Sequence, residues 1–242
     1  MAAPYTAPWK AWSAEQAGVR AGEVEPIHRL RVATGRLGAA RELMGAKPSR
    51  RLAELREALG QVRIWDMHRA LLLELAVPPG DRAEAGWFEL LAWIGRCRHR
   101  ELKALGRRLN GPALRRCAAP PVPEARELEP ALARVAGGEE NPEILHALRI
   151  ALRRHRYALE WRDPDSPLLA PLRNLGDALG LHRDWLQLER LLADREHRWL
   201  KRGRKGLAAG LRELGFAASL RRKSASAALA PFAEALRAAA GP

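Results

Sequence analysis

The sequence lacks the features that mark secreted, disulfide-rich or membrane-spanning proteins. It contains two cysteines in 242 residues. Cys97 and Cys117 form no CxxC pair and cannot build the disulfide framework of a small secreted domain. No apolar run approaches the roughly 18 residues that a membrane-spanning helix needs. The N-terminus also lacks the basic start and apolar stretch of a signal peptide. We therefore expect a reduced, cytoplasmic protein with no membrane partner.

Acidic residues are scarce relative to basic ones. Lys and Arg total 42 against 28 Asp and Glu, which gives a formal net charge of +14. With 47% hydrophobic residues, the chain is too apolar to be a disordered basic tail and long enough to bury a core. Because a folded body with this surplus attracts anions, the charge balance predicts a polyanionic partner.

β-Branched and aromatic residues are also scarce, whereas the strong helix formers Ala, Leu, Arg and Glu dominate. No segment alternates polar and apolar residues as a strand would. Clusters of Pro and Gly interrupt the helical pattern. The segments between them predict helices near 26–46, 49–76, 82–109, 142–162 and 167–200, with a further helical stretch to 238. The predicted fold class is all-α, with helices packed as antiparallel bundles.

Two segments of the chain resemble each other. IHRLRVATGRLGAAREL, from Ile27, aligns with LHALRIALRRHRYALEW, from Leu145, at an offset of 118 residues. A second landmark, Leu-Gly, occurs at 59–60 and at 179–180, an offset of 120 residues. The ordered matches predict two divergent copies of one helical unit, at about 10–123 and 124–242, within a single domain over 1–242.

Each copy carries a helix with a histidine and a row of arginines. At 100° per residue, His146 and the arginines after it lie on one side of their helix, opposite its leucines. A solvated stripe normally mixes signs to form i,i+4 pairs, but residues 146–156 contain no acid. We interpret this stripe as an anion-binding face, because a bound anion would compensate the repulsion between its charges. A solvated outer face is the alternative interpretation.

The stripe of the first copy is thinner, because Gly35 and Gly38 stand where the second copy has arginines. Two further basic stripes lie on the third predicted helix and late in the second copy. Convergence of all the stripes on one groove would form a cationic channel, and surface solvation is the equal alternative for the two later stripes. The candidate anion-binding residues are His28, Arg31, Arg36, Arg96, Arg100, Lys103, Arg107, His146, Arg149, Arg153, Arg154, Arg156, Arg198 and Arg202.

No recognised catalytic or metal motif is present. The sequence has no Walker-type loop, HExxH motif or paired-carboxylate motif. We expect no enzymatic activity, no cofactor and no metal site. Asp66 and Asp184 are interpreted as helix caps or as partners of Arg63 or Arg183. The other histidines, at 68, 99, 155, 182 and 197, are interpreted as packing or surface residues.

Eight tryptophans stand out in a chain with few other aromatic residues. Tryptophans interleaved with basic residues can stack on bases of single-stranded nucleic acid. Tryptophan at helical spacing more often packs in a core, and this is the interpretation for most of them. Trp9 and Trp12, in a Pro-flanked N-terminal segment, are predicted to form a docking contact or a dimer surface.

The two HxLR helices resemble those of the CHAD family, the conserved-histidine α-helical domain. The second copy, HALRIALRRHRYALE from His146, matches closely, with His155 where the family usually has Leu. The family's LGxxRDxDV segment is similar to the segment from Leu59, which has Ile64 in place of the first Asp. In the second copy, the corresponding acid is present as Asp184.

This resemblance implies two four-helix units related by pseudo-twofold symmetry around a basic central channel. It also implies binding of inorganic polyphosphate through the matching His and Arg residues, and association with polyphosphate granules. Gly35 and Gly38 depart from the pattern, so a weaker contribution from the first copy is expected. One alternative is a nucleic-acid-binding helical protein, since nucleic acid is a polyanion that competes for the same basic surface. The other is a surface protein of storage granules.

Overall fold

The structure, a computed structural model, describes residues 6–75, 81–110 and 120–240. For residues 6–11 and 81–83 it describes the backbone alone. Cys117 lies outside the described residues, and Cys97 is a buried free thiol. Within the described ranges the chain is helical and contains no strand. The prediction of an all-α fold is therefore confirmed.

The helices lie close to their predicted positions. The structure adds a helix before residue 24 and a short helical region near 125–136, and it divides the last stretch in two. The elements are α1 (Thr6–Ala21), α2 (Val24–Leu43), α3 (Arg50–Glu74), α4 (Asp81–Leu109), a 3-10 helix (Ala125–Leu128), α5 (Glu129–Ala136), α6 (Pro142–Arg162), α7 (Leu169–Lys201), α8 (Lys205–Ala227) and α9 (Leu229–Ala240).

Polar caps and glycines explain several of these boundaries. The Ser49 Oγ accepts a hydrogen bond from the backbone N–H of Leu52 at the start of α3. The Asn141 side chain caps α6 in the same way, with Pro142 at the first helical position. Gly22 has a φ of +80° in the turn between α1 and α2, a conformation that favours glycine. The helix ends are therefore encoded locally.

Three apolar cores organise the helices. One packs residues of α1 to α4, and a second packs α5, α6, α7 and α9. The third joins α3 and α4 to α7 and α8. Between the two halves of the chain, α2 contacts α6, α3 contacts α7 and α4 contacts α8. The two histidine-bearing helices, α2 and α6, therefore meet where the halves pack together.

Most tryptophans lie in these cores, as predicted. Trp65 and Trp93 are half-buried and pack edge to face, with ring centroids 5.1 Å apart. The prediction of a docking surface at Trp12 is wrong, because Trp12 is 4% exposed in the first core. The side chain of Trp9 lies outside the described residues. The fully buried members are Trp12, Trp87, Trp161, Trp185 and Trp199.

Asp66 has a different partner from the one expected. Its carboxylate accepts a hydrogen bond from Arg98 of α4 rather than from Arg63. The same guanidinium donates to the carbonyl oxygen of Gly22 at 2.7 Å. Asp66 is buried, so this charge pair fastens α3 and α4 to the turn between α1 and α2.

Three histidines are packing residues, as expected. His68, His155 and His182 are each at most 5% exposed. Burial lowers the pKa of His68 to about 4, so its imidazole is neutral at pH 7. In the described part of the chain, no group of three His, Cys, Asp or Glu residues is placed to hold a metal ion. None of the described helices combines the length and the apolarity needed to cross a bilayer.

Candidate anion-binding site

A cavity of about 480 Å³ opens between α2, α3, α6 and α7. We call it the central cleft. Its walls include two acids, Glu57 and Asp177, and a larger number of basic side chains. The basic residues that line it are His28, Arg31, Arg56, Arg149, Arg153 and Arg156.

The amphipathic pattern of α6 brings its arginines to the cleft. Leu145, Leu148 and Leu152 are buried in the second core. Arg149 and Arg153 are spaced at i,i+4 on the other face and point into the cleft. The predicted separation of a leucine face from a cationic face is confirmed for this helix.

Several arginines at the centre of the molecule form no ion pair with the described residues. Among the described residues, neither Arg149 nor Arg153 forms an ion pair or a hydrogen bond. Burial and, to a smaller extent, repulsion from Arg149, Arg56 and Arg31 together lower the pKa of Arg153 to about 10. The guanidinium nevertheless stays charged at pH 7. Six arginines share the absence of an ion pair within the described ranges: Arg31, Arg56, Arg63, Arg149, Arg153 and Arg183.

One carboxylate lies among four of these arginines. Asp184 of α7 interacts with Arg149, Arg183, Arg31 and Arg63, which we call the central arginine cluster. Burial raises the pKa of Asp184, and the four guanidinium groups oppose that shift. None of the four arginines forms a salt bridge with Asp184. The cluster therefore retains a surplus of positive charge.

The internal sequence alignment matches the members of this cluster in pairs. Arg31 and Arg149 lie 118 residues apart, and Arg63 and Arg183 lie 120 residues apart, which are the two offsets of the internal alignment. The acid is not duplicated, because Ile64 stands at the position equivalent to Asp184. Sequence reasoning treated Arg63 and Arg183 as acid partners and missed them as site residues. Their equivalent positions after Leu-Gly were the signal that could have found them.

A second cavity, of about 530 Å³, lies between α6 and α7. We call it the side cavity. It is lined by His146, His182, Arg183 and Arg190, and it shares Arg149 with the central cleft. Arg149 therefore faces both cavities. His146 lines the side cavity, whereas its counterpart in the first copy lines the central cleft.

The two histidines of the predicted motif are neutral at pH 7. Burial lowers the pKa of His28, and the positive charge of Arg63 adds to this shift. Its Nδ1 is buried with no hydrogen-bond partner among the described residues. At His146, burial again lowers the pKa first, followed by repulsion from Arg183 and Arg149. Each neutral imidazole can donate one hydrogen bond and accept another.

Arg36 and Arg156 are held in place by their neighbours. Their guanidinium carbons lie 5.5 and 5.1 Å from the ring centroid of Tyr157, which is buried. Both also pair with Glu160, at 2.8 Å from Arg36 Nη2 and 3.7 Å from Arg156 Nε. This arrangement links α2 to α6. Arg156 lines the central cleft, and Arg36 does not.

The remaining candidates lie away from both cavities. Arg154 pairs with Glu42 of α2, with its Nε 3.1 Å from the carboxylate. Arg195 of α7 stacks on Trp93 of α4, with its guanidinium carbon 3.3 Å from the ring centroid. Cys97 lies close to Arg195, and its sulfur accepts a hydrogen bond from Arg100. The exposed members of the two later basic stripes line neither the cleft nor the side cavity: Arg96, Arg100, Lys103, Arg107, Arg198 and Arg202.

Comparison of the sequence with models of protein families returns a match to a known family. The chain matches the CHAD domain over residues 6–120 and 122–193. The match includes α2, α3 and α6 completely and α7 as far as residue 193, so it contains every residue that lines the central cleft, whereas α8 and α9 follow it. A comparison with curated protein sequences returned no match. Because the matched residues make up well over half of its length, the chain belongs to the CHAD domain family.

Proposed function

We propose that the chain binds inorganic polyphosphate in the central cleft and the side cavity. The observation that carries this proposal is a group of arginines that form no ion pair with the described residues. Arg31, Arg56, Arg149, Arg153 and Arg183 line the two cavities, and Arg63 belongs to the central arginine cluster beside them. Like charges brought together without counterions are costly, and an extended polyanion would neutralise several of them at once. The shared position of Arg149 allows one ligand chain to contact both cavities.

The chemistry of the side chains suits phosphate. A guanidinium presents paired N–H donors that match two nonbridging oxygens of a phosphate. The half-buried positions of Arg31, Arg149 and Arg153 reduce the competition from water and strengthen these contacts. Neutral His28 and His146 add hydrogen-bond donors without adding to the repulsion.

The proposed role is binding without catalysis. Most of the basic side chains that line the cleft are arginines, which hold their protons at all physiological pH values and therefore serve as hydrogen-bond donors rather than as nucleophiles or general bases. Binding of this kind would place the protein on polyphosphate granules in the cytoplasm. Granule association that survives removal of the cleft arginines would instead favour a surface protein of storage granules.

A competition titration tests the proposal. Labelled long-chain polyphosphate bound to the protein is challenged with unlabelled polyphosphate, with orthophosphate, and with single- and double-stranded DNA. We expect strong displacement by long polyphosphate alone. Equal displacement by DNA at matched phosphate concentration would replace the proposal with a general polyanion-binding surface, for which nucleic acid is an equally good ligand.

Asp184→Asn is expected to increase the affinity for polyphosphate by about tenfold. The carboxylate is the acid that interacts with the central arginine cluster, so it repels the ligand. Removal of such a repulsion is worth about 1.4 kcal/mol, or a factor of about ten. Isothermal titration calorimetry with polyphosphate of defined length measures the change.

The matched control for this variant is Asp194→Asn, which removes a carboxylate from an exposed pair with Arg198 on the same helix. This control is expected to bind within about twofold of the original chain, because exposed ion pairs contribute little. An Asp184→Asn variant that folds normally and binds no better than the original would contradict the electrostatic argument.

Affinity is also expected to increase on acidification. Because the pKa of His28 and His146 lies below 6.5 in the free protein, affinity should be nearly constant from about pH 8 to pH 7 and rise severalfold below about pH 6.5. A protonated imidazole attracts the bound anion, so the affinity increases as the pH falls. Titrations at fixed salt measure the profile.

Protonation of Asp184 acts in the same direction, so a second variant isolates the imidazoles. His28→Asn with His146→Asn is expected to flatten most of the rise. A profile that stays flat from pH 8 to pH 6 at fixed salt in the original chain would remove the role of the histidines.

A further inference from the structure

The two halves of the chain exchange an arginine and a glycine at two equivalent positions. Gly38 on α2 corresponds to Arg156 on α6, at the offset of 118 residues. Arg56 on α3 corresponds to Gly176 on α7, at the offset of 120 residues. Each half therefore has one arginine in this pair of positions. In the first half it lies on α3, the helix after the histidine-bearing helix, and in the second half it lies on the histidine-bearing helix α6 itself.

The space around Gly38 and Gly176 differs between the two halves. A Cβ atom added to Gly38 would lie 2.5 Å from Nη1 of Arg56. The guanidinium of Arg56 therefore occupies the space next to α2 that a side chain at residue 38 would need. At Gly176 an added Cβ would meet nothing within 4 Å. Arg56, Arg156 and Gly176 all line the central cleft.

We infer that Arg56 is a polyphosphate-binding residue, which supplies from α3 the charge that α2 lacks at Gly38. This inference rests on the proposed function. Arg56 forms no ion pair with the described residues and contributes to the repulsion on Arg153. Its counterpart Arg156 is instead engaged with Glu160 and Tyr157.

The inference changes what the first half contributes to the site. The arginine stripe of α2 is thinner than that of α6, but the missing charge is restored in space by the neighbouring helix. Both halves then present an arginine to the same stretch of ligand. A pattern search along α2 alone does not detect Arg56, because the compensation depends on the contact between α2 and α3.

The test moves the arginine back to the helix that lacks it. Arg56→Ala is expected to weaken binding of long-chain polyphosphate by about tenfold, since a hydrogen bond to a charged group is worth about that factor. Gly38→Arg combined with Arg56→Ala is expected to restore affinity to within about threefold, since the three atoms nearest to a Cβ at residue 38 all belong to Arg56 and are removed with its side chain.

A charge-matched control separates position from net charge. Ala70→Arg combined with Arg56→Ala has the same net charge, but residue 70 is exposed on α3, about 21 Å along the helix from Arg56. It should bind as weakly as Arg56→Ala alone. Circular dichroism and thermal melting of each variant verify that the fold is retained.

The outcomes distinguish this inference from the proposed function. Arg56→Ala that binds as tightly as the original chain overturns the inference while leaving the polyphosphate site in place. Restoration by Ala70→Arg as good as by Gly38→Arg, or no restoration by Gly38→Arg, also overturns it. An original chain that does not bind polyphosphate overturns both.

Discussion

Replacement of Arg149 and Arg153 together by alanine is expected to weaken the binding of long-chain polyphosphate by a factor of ~100 or more. The two guanidinium groups lie one turn apart on α6, and neither forms an ion pair with the described residues. A hydrogen bond to a charged group is worth about 1.5–3 kcal/mol, and each 1.4 kcal/mol is a factor of about ten. Arg149 also faces the side cavity, so its loss affects both parts of the site.

The corresponding pair in the first copy provides the comparison. Arg31→Ala with Arg36→Ala is expected to cost less, because Arg36 pairs with Glu160 and does not line the cleft. Fluorescence anisotropy with labelled polyphosphate measures both double variants. Equal losses from the two would contradict the expected asymmetry between the copies.

Loss of charge alone must be separated from loss of the site. Arg134→Ala with Arg212→Ala also removes two positive charges, but from exposed ion pairs with Glu139 and Glu196. This control is expected to lower affinity by less than about threefold, because distant exposed charges are largely screened. A loss as large as that of the cleft variant would show that net charge, rather than the cleft, determines binding.

Salt is expected to have the largest effect on binding. Between about 50 and 200 mM monovalent salt, affinity should fall by roughly a factor of 10³, by analogy with proteins that neutralise about six phosphates of a nucleic acid. The two cavities are lined by arginines that form no ion pair with the described residues, which include Arg31, Arg56, Arg149, Arg153 and Arg183, and Arg63 belongs to the central arginine cluster beside them. Each phosphate that they neutralise releases condensed counterions from the ligand, and added salt opposes that release.

The slope of affinity against salt, both on logarithmic scales, reports the number of contacts. The variant that lacks Arg149 and Arg153 is expected to have a slope shallower by about two, whereas the charge-matched surface variant retains the original slope. Titrations at four or more salt concentrations measure it. An affinity that does not change with salt would contradict an ionic site.

Local sequence signals were sufficient for much of the fold. The leucine spacing of α6 predicted which of its faces is buried, and the Pro and Gly clusters predicted where five helices begin and end. The prediction for Trp12 failed because its burial depends on packing in the first core, which joins residues distant in the chain. The flanking prolines indicated only a break in the pattern and carried no information on that contact.

The candidate site was predicted in part for the same reason. Arg153 and Arg154 are adjacent in sequence and of the same residue type, yet one lines the cleft and the other pairs with Glu42 of α2. Arg56 was missed because its role depends on the space above Gly38, on another helix. Helical periodicity assigns a side chain to a face, but it does not identify which acid or ligand that face meets.

The central arginine cluster has a consequence for the protein before any ligand arrives. Four guanidinium groups around one carboxylate repel one another in the free state, and this repulsion lowers the free energy of unfolding. Under the proposed function, the free chain is less stable because these charges are kept for an anion, as is common at functional sites. Salt is then expected to act in opposite directions on two properties: by screening charge it stabilises the free protein and weakens the binding of the proposed polyanion.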